Sequence, residues 1–188
     1  MPDQIYVFVD NSFLYIQGYK HVEKVANLPE CKHPYIDYGA FKRFLQKQGE
    51  LKRAVIVGAD LPGSMMSKCQ SAGFHVVTLP KYPDFVTGKL EEKGVDHRVC
   101  WEIAKTIWTN KDPVANKKII LCTGDKDFIG ILPEIHTSNW AFELWLWNNS
   151  FSPKFAEAVK AFGTVRVLDT EWHQFIKVGD KPLVTTPM

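Results

Sequence analysis

The apolar residues Ile119-Ile120-Leu121-Cys122 run without a break into Thr123-Gly124. Two aspartates, Asp125 and Asp127, follow on either side of Lys126. A continuous apolar run with no polar alternation reads as a strand buried on both faces. Two carboxylates at the mouth of such a strand repel each other and lose hydration together, a cost that a cation offsets. The start of the chain repeats the design, with Ile5-Tyr6-Val7-Phe8-Val9 ending in Asp10-Asn11. Two buried strands that each deliver an acid at the carboxyl end point to an acidic site rather than scattered surface charge.

A chain of 188 residues suits one α/β domain with a real core. The formal net charge of +2 does not by itself announce nucleic-acid binding. With acids gathered in one place, however, the remaining surface is more basic than that figure. Four cysteines (Cys31, Cys69, Cys100, Cys122) lie far apart with no C-x-x-C spacing. They read as buried free thiols in a reducing, cytoplasmic compartment. Cys31-Lys32-His33 offers half of a zinc site, and no second half follows. No signal peptide is expected, and no apolar run approaches a membrane span.

In chain order, Phe13 to Tyr19 begins a short helix, and a loop holding Pro29 and Pro34 follows. Asp37 is placed to cap a helix whose stripe is Phe41, Phe44 and Leu45, ended by Gly49. Strands are expected at Ala54–Gly58, Phe74–Leu79, Lys118–Cys122, Ala141–Trp147 and, shorter, Val165–Leu168. Helices are expected over about 64–72, 95–108, 128–138 and 154–162, with a polar turn at 110–117. Residues 80–93, punctuated by proline and glycine, read as a mobile loop or small hairpin. Alternating strands and helices imply a mostly parallel sheet with helices on both faces. Ligands of such folds bind beyond the carboxyl ends of the strands, where strand order switches. Asp10, Asp125 and Asp127 all stand at carboxyl ends.

Asp96 supplies a fourth acid. At about 100° per residue, with Val95 at zero, Val99, Ile103 and Ile107 fall near 40°, 80° and 120°, and Asp96 falls near 100°. The acid thus sits inside the apolar stripe, in the first turn. An N-cap role is the alternative. Glu102 lies about 9 Å further along by rise and about 120° round the axis. It reads either as flanking the site, with a second ion, or as a solvated glutamate.

Val-Phe-Val-Asp10-Asn11, Lys93-Gly94-Val95-Asp96 and Thr123-Gly124-Asp125-Lys126-Asp127-Phe128 occur in that order. Together they resemble the NYN domain of the PIN-like nuclease superfamily, over about residues 3 to 168. The resemblance implies a single PIN-like three-layer domain with a sheet of order 3-2-1-4-5. It also implies an acid cluster holding Mg²⁺ or Mn²⁺, and RNase activity. The domain is expected over 1–177, with a flexible tail at 178–188. Two departures from the family pattern stand out. Asn11 follows the first aspartate directly, with Phe13 where the family often has asparagine, and Glu102 stands where many members carry a second helix aspartate.

Hard oxygen ligands without a matched Cys/His set favour Mg²⁺ or Mn²⁺ over zinc. Asp10, Asp96, Asp125 and Asp127 are the expected metal and catalytic residues, with Asn11, Lys93, Glu102 and Thr123 around them. Lys93 and Lys126 border the acids, either to hold a phosphate backbone or to soften local repulsion. Tyr15, Tyr19, Tyr82, Phe85 and Phe151 are interleaved with Lys20, Lys24, Lys81, Lys89 and Lys154. Single-stranded RNA bases stack on such aromatics while lysines follow the backbone. Each of these rings has a core role as its alternative, and Trp140, Trp145 and Trp147 are assigned to the core. The rival functions are an inactive NYN module that binds RNA or protein, a haloacid-type phosphatase and a receiver-like domain. A homodimer or protein partner stays open.

Overall fold

The computed structural model describes residues 3–84, 86–110, 115–148 and 150–180. Its strands and helices alternate as β1 (Gln4–Asp10), α1 (Gly18–Ala26), β2 (Lys32–Ile36), α2 (Tyr38–Gln46), β3 (Glu50–Ala59), α3 (Gly63–Ser71) and β4 (His75–Leu79). A short antiparallel hairpin follows, β5 (Lys81–Pro83) with β6 (Leu90–Glu92). The second half runs α4 (Val95–Thr109), β7 (Lys117–Cys122), α5 (Leu132–Thr137), β8 (Ala141–Leu146), α6 (Pro153–Lys160), β9 (Thr164–Val167) and β10 (Ile176–Asp180).

Six strands form one sheet in the order β4-β3-β1-β7-β8-β9. Every neighbouring pair in it is parallel. Counting only these strands, the order is the expected 3-2-1-4-5 with a sixth strand added at the far edge. The apolar runs explain the layout. Val7, Phe8 and Val9 of β1 and Ile119, Ile120 and Leu121 of β7 have no exposed surface, as central strands covered on both faces require. Trp145 and Trp147 are also fully buried and Trp140 nearly so, which places all three in the core. β1 lies between β3 and β7, so strand order reverses at the β1–β7 seam, where Val9 pairs with Cys122.

Several boundaries differ from the sequence reading. Pro34 lies in a strand rather than a loop, because β2 pairs antiparallel with β10 in a separate two-stranded sheet. Proline lacks a donor and is tolerated at such an edge. Position 178, the expected start of the tail, therefore lies inside β10, which runs to Asp180. Residues 181–188, and 111–114 of the expected polar turn, lie outside the described residues. Segment 13–19 opens as a π-helical turn, Phe13–Gln17, before α1. The helix expected from 128 starts as a 3₁₀ turn, Lys126–Ile131. The hairpin expected within 80–93 is the β5–β6 pair. Among the cysteines, Cys69 and Cys122 are buried, Cys100 is half-buried and Cys31 is exposed; all four are free.

Candidate metal centre

β1 delivers Asp10 to the seam, and the turn after β7 delivers Asp125 and Asp127. Asp125 caps the 3₁₀ turn, its Oδ1 accepting a hydrogen bond from the Asp127 N–H at 3.0 Å. The peptide in between has to pass close to its neighbours. A Cβ on Gly124 would strike the Ser150 carbonyl oxygen, and would lie 2.9 Å from the Phe13 ring and 3.1 Å from the Phe151 Cα. Only glycine fits there. Asp96 arrives from the third side on the first turn of α4, whose cap is Gly94 at φ +80° with no side-chain cap bond. Asp96 is thus not the cap, and its carboxylate faces the acids.

One carboxylate oxygen each from Asp96, Asp125 and Asp127 lies within 4.8 Å of the other two. Asp10 is not one of this close trio. It lines a cleft of about 390 Å³ together with Asp125, Phe13, Phe151 and Lys126, and its charge acts on Asp96. Its Oδ1 accepts from the Ser12 hydroxyl at 2.7 Å and the Ser12 N–H at 3.0 Å, and its Oδ2 from the Thr123 hydroxyl at 3.4 Å. Burial pushes the Asp10 carboxyl above its ordinary value despite those donors. Asp96 is pushed up to about 6, first by burial and then by the negative charges of Asp10, Asp125 and Asp127. Acids so crowded, with only hard oxygen donors, make a set that fits a divalent cation.

The other expected residues divide. Lys126 lines the acid cleft. Thr123 is fully buried and ties the strands together, donating to Asp10 and accepting from the Asp125 N–H at 3.3 Å. Lys93 is half-exposed, 3.7 Å from Glu91, and lines a neighbouring cleft with Tyr82, His97 and Trp101. Lys81 lies 3.9 Å from Glu92 and lines a third cleft with Tyr15 and Asn11. Lys89 is exposed in the β5–β6 connection, and Tyr82 is half-exposed. Phe85 lies outside the described residues.

Glu102 is not one of the close acid trio, and it is not solvated. It is 1% exposed and paired with Arg98 at 2.6 Å and Arg53 at 2.7 Å. One turn of α4 separates Glu102 from Arg98, a spacing visible in sequence; Arg53 comes from β3, which sequence spacing does not reveal. Sequence reasoning also missed Ser12 and Ser150. Ser12 carries a recognisable signal, since a serine two residues after an aspartate favours a local turn onto the carboxylate. Ser150 lines the Asp10 cleft with a buried hydroxyl that has no hydrogen-bond partner among the described residues.

The parallel α/β sheet gathers acids at its switch point into a set that could hold a cation. The family model for the NYN domain matches residues 4–165, and the chain belongs to that family, which makes this a nuclease-type fold. Its fold is similar to the crystal structure of a protein of unknown function, VPA0982, from Vibrio parahaemolyticus RIMD 2210633. The TM-score is 0.64 at 15% identity, over 94% of this chain and 97% of that one. A search of curated protein sequences finds no match. Among the described residues no helix is long and apolar enough to cross a membrane.

Proposed function

We propose that this NYN domain is a metal-dependent ribonuclease that hydrolyses phosphodiester bonds of single-stranded RNA, with Asp10, Asp96, Asp125 and Asp127 holding Mg²⁺ or Mn²⁺. The observation that carries this reading is the convergence of Asp96, Asp125 and Asp127 from two separate elements onto one point, with the charge of Asp10 acting on Asp96. A bound ion would supply charge neutralisation at the scissile phosphate and a bound water of lowered pKa. The protein's own residues do the rest. Ser12 and Thr123 fix the orientation of Asp10 through its two oxygens. Phe13 and Phe151 line the cleft with Lys126, whose ammonium would meet the phosphate backbone. Four free thiols, one of them exposed, support a reducing cytoplasmic setting.

Incubating the protein with labelled single-stranded RNA tests the reading. Cleavage is expected with Mn²⁺, and its loss with EDTA and in Asp125→Asn. Cleavage that survives both would overturn it, and an inert wild type in Mn²⁺ would leave a binding module.

A further inference from the structure

Next to the acids lies a separate cleft of about 590 Å³, within the size range of small-ligand sites. Its walls carry Tyr15, Tyr19, Tyr35 and Tyr38. Tyr15 and Tyr19 meet with ring centroids 4.1 Å apart. Tyr15 and Tyr35 keep 38% and 43% of their surface exposed, so the core has not consumed these rings.

Three residues lining the cleft, Asn11, His33 and Tyr38, carry a buried polar side-chain atom with no hydrogen-bond partner among the described residues. These atoms are the Oδ1 of Asn11, a residue only 7% exposed, the Nδ1 of His33 and the hydroxyl of Tyr38. Buried polar groups are nearly always paired, so an orphaned carboxamide oxygen at a cleft wall points to a ligand that donates to it. The charges around it balance. Lys68 and Lys81 stand against Asp60 and Glu92. The cleft beside Glu102 is instead lined by Lys52, Arg53, Arg98, Lys105 and Lys117. A neutral, aromatic-walled cleft suits an uncharged planar group better than a phosphate. Burial also raises the phenols of Tyr19 and Tyr38, which keeps both hydroxyls protonated as donors. Finally, Ser12 and Ile16 line this cleft and the acid cleft alike, and Asn11 follows Asp10 directly. A ligand here is one step from the acids.

We propose that this cleft holds a nucleobase of the single-stranded RNA next to the phosphate at the acids, with Tyr15 and Tyr35 stacking on it and Asn11 Oδ1 accepting an N–H from its edge. Every RNA base offers such an N–H. The assignment rests on the RNA reading of the domain, and assigns the part of the strand that the acids do not touch.

The test is binding by fluorescence anisotropy in Ca²⁺ buffer, with a short labelled oligouridine and an abasic strand of the same length. Wild type is expected to bind the base-bearing strand about tenfold tighter or more, the affinity a stacked base carries. Tyr35→Ala and Asn11→Ser should each lose most of that advantage without changing affinity for the abasic strand, and Tyr35→Phe should keep it. Equal affinity of wild type for the two strands, or equal weakening of both by Tyr35→Ala, would overturn the base site. So would failure to bind either strand, or capture of a protein ligand that Tyr35→Ala releases while RNA binding shows no base preference. Cleavage in Mn²⁺ without base preference defeats this site and leaves the nuclease. Base-dependent binding without cleavage defeats the nuclease and leaves the site.

Discussion

Asp96 shows how one side chain is set by its surroundings. Gly94 takes the cap position in a left-handed conformation, which leaves the aspartate in the first turn to face three other acids. Its carboxyl is raised from 3.8 to about 6 in the folded protein. A raised acid pKa stabilises the fold fully below the unfolded value, and that stability is lost as pH rises through the folded one. Metal-free wild type should therefore lose stability relative to Asp96→Asn between about pH 4 and 6. Urea unfolding in EDTA at both ends of that window checks it, and parallel curves would remove the crowding. Glu102 presents the opposite case. Replacing it by Gln weakens its bonds to Arg53 and Arg98 and should cost about 1–3 kcal/mol, with the response to metal unchanged. Melting curves with and without Mn²⁺ separate the two effects. Asp10, Asp125 and Asp127 were legible because each ends an apolar run. Glu102 was misread because its helical phase says nothing about an arginine brought in by β3.

The turn after β7 owes its shape to Gly124, against which Ser150, Phe13 and Phe151 close. Gly124→Ala should cost about 1–3 kcal/mol from overpacking and lower metal affinity by displacing Asp125. Thermal melting and a Mn²⁺ titration measure both, and a wild-type melting curve would refute the close approach. The central strands were legible for a physical reason: the buried segments 5–9 of β1, 54–59 of β3 and 119–122 of β7 carry no charged residue to interrupt the apolar run. The β2–β10 pair was not. Both strands are short, β2 contains Pro34, and they meet from opposite ends of the chain. Ile176 on β10 is 1% exposed, so this pairing also closes the core. A chain ended at Phe175 should melt several degrees lower, about 2–4 °C for each kcal/mol lost. An unchanged melting temperature would mean that β10 contributes nothing.

Across the whole molecule, charge is sorted more sharply than the net +2 suggests. Acids gather where the strands end, and five lysines and arginines line the cleft around Glu102. The sequence implied such sorting, because two acid-ended buried strands left the remaining surface more basic than the total. It did not reveal the tyrosine cleft, whose four tyrosines come from the Phe13–Gln17 turn, α1, β2 and α2 and meet only in the fold. The metal centre organises the account, and thermal shift by Mn²⁺ tests it most directly. At a hundredfold excess over its dissociation constant, the ion should add about 2.7 kcal/mol to wild type. For a chain of this length that is roughly 5–10 °C in melting temperature. Asp96→Asn should lose most of that shift, while Glu102→Gln, outside the acid trio, should keep it. Equal shifts in wild type and Asp96→Asn, or no shift in wild type, would contradict a metal site built on these acids.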